Sequence, residues 1–130
     1  MKISDLPMLL KNGELTEEEI CPVMYAMSLI GQKWKINILW HLADEGPLRY
    51  NEIRRGIPPI TNVVLAKCMK ELTEAGLVHR DQQNDIPPVV VYSLTERGQG
   101  LIPILYRIHE WGVEQMRLDV IGAKQTGKIG

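Results

Sequence analysis

The chain has 130 residues, 45% of them apolar, which suits one domain with a real core. Its formal charge of −1 excludes a protein that holds nucleic acid through a global basic field, and its two cysteines, Cys21 and Cys68, are too few for a disulfide scaffold. No apolar run approaches the roughly 18 residues a membrane span needs, and no basic region followed by an apolar run opens the chain, so the sequence reads as cytosolic with no membrane partner.

Residues 1–15 mix Pro7, Asn12 and Gly13 with scattered leucines and read as an irregular arm or a short helix. Cys21-Pro22 marks a helix start, because proline suits the first helical position. Val23, Ala26, Met27 and Ile30 then share one helical face, and Gly31 interrupts it. Residues 33–45 carry Trp34, Ile36, Ile38, Leu39, Trp40 and Leu42 around most of the circumference, which predicts a central, largely buried helix ended by Gly46-Pro47. Leu48-Arg49-Tyr50 is long enough only for a bridge strand. Asn51 is the expected cap of a short helix through Arg55, closed by Gly56.

Ile57-Pro58-Pro59-Ile60 forces a turn. Thr61 is a good cap for a helix over 62–75, with Leu65, Met69 and Leu72 as its buried stripe and Gly76 as its stop. Asn62, Val63, Ala66, Lys67 and Lys70 fall on the opposite face. Leu77–Gln83 and Val89–Leu94 are strand candidates, with a proline-rich turn between them. Thr95 opens the last helical region, which Pro103 should kink or split and which runs to about Ile121. Its stripe of Leu101, Ile104, Leu105, Ile108 and Trp111 is longer than the small head can cover and predicts a dimer interface. Residues 122–130 are small and polar and are expected to be a mobile tail.

Helix, short strand, helix, helix, hairpin is the order of a winged helix-turn-helix. The expected fold is therefore mainly α with a small β-hairpin wing (α+β), in one domain over residues 1–121. Residues 31–80, which hold the suspected reading helices, carry a net charge of +3 against −3 for residues 1–30.

Cys21-Pro22-Val23, Gly31-x-Lys33-Trp34, Arg49-Tyr50-Asn51-Glu52-Ile53, Leu72-x-x-x-Gly76-Leu77-Val78, Pro87-Pro88 and Tyr92-Ser93-Leu94-Thr95-x-x-Gly98 lie in that order along the chain. Together they resemble the HxlR family, a branch of the MarR-like winged-helix regulators. The resemblance spans roughly residues 19–115. It implies a homodimeric transcription factor, held together by its N- and C-terminal helices, that binds inverted-repeat operators in double-stranded DNA. Val63, Cys68 and Val89 stand where members often carry a basic residue, so the reading head is less basic than usual.

The recognition helix, about 62–75, is expected in the major groove, and the wing, about 83–89, near the backbone. Thr61, Asn62, Val63 and Lys67 sit at or near the start of that helix. Asparagine can bridge adenine, lysine can reach guanine or phosphate, and valine can pack on a thymine methyl. Arg54, Arg55, Lys70 and Arg80 are the candidates for phosphate contacts, which position without specifying. The bland reading of the same residues is a solvated face, and a winged-helix module that binds protein instead of DNA is the rival function.

Trp34 and Trp40 read as core and Trp111 as interface. Cys21 stands at a helix start, where the dipole favours an anionic sulfur, while Glu17, Glu18 and Glu19 oppose it. Some members of the family use a cysteine near this position to sense oxidants or electrophiles, so Cys21 is a candidate redox sensor, and a small-molecule or oxidant effector is an open partner. Cys68 is expected to be inert. His41, His79 and His109 show no ligand spacing, and no catalytic, metal or cofactor motif is present.

Overall fold

The computed structural model describes residues 2–126. An N-terminal arm consists of a 3-10 turn, Ile3–Asp5, and helix α1 (Leu6–Lys11). After it come α2 (Pro22–Ile30), α3 (Lys33–Glu45), β1 (Leu48–Arg49), α4 (Tyr50–Gly56) and α5 (Asn62–Glu74). The chain continues through β2 (Val78–Gln83), β3 (Val89–Leu94), α6 (Glu96–Gln99) and α7 (Ile102–Thr126). The molecule is mainly helical with one small antiparallel sheet in the order β1-β3-β2, a winged helix.

Local chemistry accounts for most boundaries. Pro22 is the first residue of α2, directly after Cys21. Gly46, at φ 83° and ψ −156°, takes a positive-φ conformation open essentially only to glycine and ends α3. The cap of α4 is Arg49 and not Asn51: the Arg49 N–H donates to the Glu52 carboxylate at 2.9 Å, which starts the helix at Tyr50. The Thr61 hydroxyl oxygen accepts the Val64 N–H at 3.3 Å and caps α5.

In the sheet, Arg80 pairs with Tyr92 and Gln83 with Val89, while Leu48 pairs with Tyr92 on the other side of β3. The wing root is tied to the end of α5. The Thr95 hydroxyl donates to the Gly76 carbonyl, and Arg97 donates to the Ala75 carbonyl at 2.7 Å. Gly98 packs so tightly there that a Cβ would collide with the Leu77 carbonyl oxygen.

Ile38, Leu39, Ile53, Leu65, Leu72 and Val78 are the largest fully buried side chains, so the core sits between α3, α4, α5 and the sheet. Trp34 and Trp40 are only partly buried, packed on the rim of this core and not inside it. Trp40 instead makes the seat for α7, stacking on His109 at 4.8 Å and meeting Tyr106 edge-on at 5.0 Å. Tyr106 also donates to Asp44 of α3 at 3.1 Å.

The last helical region splits at Gly100-Leu101, and Pro103 falls in the first turn of α7, where its missing N–H costs nothing. The helix runs past the expected end at Ile121, through Thr126. Residues 127–130 of the expected tail lie outside the described residues. Leu105 is a correction to the interface stripe: it is 2% exposed and belongs to the core of its own protomer, with Leu101 partly buried beside it. Ile104, Ile108 and Trp111 remain exposed. Periodicity put all of these residues near one face, but the first turn of that face packs into the core.

Candidate nucleic-acid interface

α4, a turn pinned by buried Ile57 and Ile60, and α5 form a helix-turn-helix. Leu65, Cys68, Met69 and Leu72 hold α5 against the core. That burial leaves Asn62, Val63, Ala66, Lys67 and Lys70 facing solvent, with Val63 79% exposed. An exposed valine of this kind, at the first turn of a helix, is a lone apolar contact suited to a thymine methyl.

Tyr50 orients the start of this helix. Its hydroxyl lies 3.1 Å from the Asn62 carbonyl oxygen and 3.2 Å from Asn62 Oδ1. Burial pushes the Tyr50 hydroxyl up, against a smaller downward pull from the Arg54 guanidinium, so it stays protonated and able to donate. One lone pair of Oδ1 is thereby engaged, while the second lone pair and the Nδ2 donors remain for a base edge. Tyr50 stands in the motif Arg49-Tyr50-Asn51-Glu52-Ile53, but nothing local points it at the candidate reading face; only the fold brings it to Asn62, twelve positions along the chain.

The basic residues surround this helix in two groups. Lys70 and Arg80 line one groove of about 410 Å³ between α5 and the sheet, floored by Tyr50 and Tyr92. Arg55 lines a second groove of about 530 Å³ with Arg49, Pro88 and Val89, between α4 and the wing root. Arg54 is exposed near the Tyr50 side of α4. Lys67 and Lys70 stand 3.9 and 4.0 Å from Glu71 and Glu74, with their side chains about three-quarters exposed. Pairs so open to solvent are weak and yield easily to a phosphate. Thr61 is exposed but spends its hydroxyl oxygen on the cap. The wing strand β2 is polar, and Arg80 is its one basic residue apart from His79.

The two cysteines differ sharply. Cys21 is exposed at the N-cap position of α2, where its side chain makes no capping hydrogen bond, while Cys68 is buried on the inner face of α5. Burial first, then the Glu71 charge, pushes the Cys68 thiol up, which keeps it an unreactive thiol. Among the described residues no group of three His, Cys, Asp or Glu side chains could hold a metal ion.

This geometry is matched by known proteins. The model of the HxlR-like helix-turn-helix matches residues 29–119. The chain belongs to that family. An uncharacterized HTH-type transcriptional regulator of Halalkalibacterium halodurans, BH0655, is 42% identical over 102 residues, 78% of this chain and 90% of that one. YybR, likewise an uncharacterized HTH-type transcriptional regulator, from Bacillus subtilis, is 44% identical over 78% of this chain and 81% of its own length. Among solved structures, the redox regulator HypR in its oxidized form superposes with a TM-score of 0.68 at 44% identity, covering 72% of this chain and 96% of that one. Membership in the HxlR-like family makes this chain a DNA-binding transcriptional regulator and not an enzyme.

Proposed function

We propose that the chain is a sequence-specific regulator acting as a homodimer on an inverted-repeat operator. The observation that carries the reading is the outward face of α5. It presents Asn62, Val63 and Lys67 together, rigidly seated on a buried stripe and flanked by Arg54, Arg55, Lys70 and Arg80. Asn62, Val63 and Lys67 read bases in the major groove, Thr61 fixes the helix start, and the four flanking cations hold phosphates. A dimer is supported by unpartnered apolar surface on two helices. Ile104, Ile108, Trp111 and Met116 of α7, and Val23, Met24 and Met27 of α2, are all more than 40% exposed. Exposed apolar side chains in that number mark an interface, and a two-fold axis would match two half-sites at fixed spacing. In vitro selection of bound duplexes from a random pool tests the reading. A selected motif with two-fold symmetry supports it, whereas no enrichment at moderate salt favours the rival protein-binding module.

A second reading concerns Cys21, favoured by its exposure beside the apolar face of α2 and by the likeness to a regulator named for redox control. Two Cys21 thiols of a dimer would lose two protons and two electrons to an oxidant such as diamide, itself reduced to the hydrazine. The resulting disulfide would change the spacing of the reading heads. Operator binding by wild type and Cys21→Ser, before and after diamide, decides it: an equal response in both makes Cys21 structural.

A further inference from the structure

Among the described residues Lys35 is the one charged side chain that is buried, at 6% exposure. It leaves α3 and crosses to α5, where its ammonium sits 2.7 Å from Oε2 of Glu71. The other carboxylate oxygen, Oε1, lies 3.9 Å from the ammonium of Lys67, one turn earlier on α5. One carboxylate therefore stands between a lysine packed inside the protein and a lysine free to swing outward. All three charges also bear on Cys68, which places them around one point of the helix.

A carboxylate on a DNA-facing helix works against binding in two ways. It repels phosphates, and it holds a neighbouring lysine in an i,i+4 pair. Lys35 offsets both effects from the protein side. Its pair with Glu71 is short and buried at the lysine, with the Glu71 side chain 29% exposed, so it outcompetes the longer pair with Lys67, whose side chain is 72% exposed. Stability alone gives little reason for a buried ion pair here, since an apolar side chain of the same volume is often as good.

We propose that Lys35 is a positioning residue for DNA binding: by neutralising Glu71 it releases Lys67 to the nucleic acid. The proposal rests on reading α5 as the DNA-facing helix. Its test is fluorescence anisotropy on a labelled duplex of unrelated sequence, where the contacts are electrostatic, across a series of salt concentrations. On such a duplex Lys67 has no cognate base to read and its ammonium pairs with a phosphate instead, so Lys67→Ala removes one phosphate contact, the log–log salt slope falls by about 0.9 and affinity at roughly 0.1 M salt drops about eightfold. Lys35→Met is expected to produce the same loss although Lys67 is still present. Lys35→Met combined with Glu71→Gln recovers both slope and affinity. Glu71→Gln alone binds at least as tightly as wild type, a result that stands even if Lys35→Met fails to fold. The proposal is overturned if Lys35→Met binds like wild type, if the double variant stays weak, or if Glu71→Gln weakens binding, since a merely structural bridge gives the last two. If Lys67→Ala itself binds like wild type, the reading of α5 has failed and the proposal falls with it.

Discussion

Replacing Trp111 by glutamate places a charge on the exposed face of α7 without touching the core of the head. Trp111 is 68% exposed in the single chain. A large aromatic side chain buries about 150–250 Å² when fully covered. Covering the exposed two-thirds at about 25 cal/mol per Å² is worth roughly 2.5–4 kcal/mol per indole. A two-fold dimer has two such side chains, so the substitution should weaken association by up to about 5–8 kcal/mol, before the added cost of two buried carboxylates. A dimer of nanomolar affinity would then become largely monomeric at micromolar concentration. Sedimentation velocity reads the change directly, and circular dichroism should show an intact head. Leu105→Ala is the contrasting control: Leu105 is 2% exposed, so it should cost about 2–5 kcal/mol of folding stability. The reasoning fails if wild type is a stable monomer at micromolar concentration, or if Trp111→Glu dimerises as wild type does.

On a selected operator, Lys67→Ala and Asn62→Ala should each cost roughly 1–3 kcal/mol and relax the sequence preference, whereas Arg54→Ala should weaken all duplexes alike. Titrations against the operator and a scrambled duplex separate the two patterns; equal losses on both duplexes for Asn62→Ala would contradict a base contact. Iodoacetamide should label Cys21 in the native protein and reach Cys68 only on unfolding, because Cys68 is buried with its thiol pushed up. The same upward shift gives a pH dependence. The neutral Cys68 thiol is favoured in the folded state, so its contribution is intact below the unfolded thiol's ordinary range and is lost as pH rises through the folded value. Melting curves of wild type and Cys68→Ala at alkaline pH should diverge accordingly, and parallel curves would refute the assignment. Gly98→Ala should destabilise the head by about 1–3 kcal/mol in a denaturant titration, because the new methyl meets the Leu77 carbonyl; an unchanged midpoint would show that the wing root can give way.

The order of elements was legible in the chain because its signals are local. Gly46-Pro47, Thr61 and Gly76 act on the backbone within a turn of where they stand, and the structure places helix ends at each. The outward face of α5 was legible too, since Leu65, Met69 and Leu72 recur at helical spacing and fix which side is left for Asn62, Val63 and Lys67. The cap at Arg49 was less so. An asparagine is the stronger intrinsic cap, but the Glu52 carboxylate reached the Arg49 N–H and moved the helix start.

By itself, then, the sequence determined the winged-helix order, the extent of α5 and its solvent face. Each follows from backbone preferences and from periodicities of a few residues. Tertiary structure alone decided which neighbour each face meets. Leu105 and Trp111 both read as parts of one stripe on α7, yet the first joins the core of its own protomer and the second stays open. Nothing in the helical spacing of residues 33–45 singles out Lys35, yet packing buries it and aims it at Glu71, thirty-six positions away. Tyr50 finds Asn62 for the same reason. Helical spacing gives a side chain's direction about its own axis, but what lies in that direction is set by how the other helices and strands pack around it.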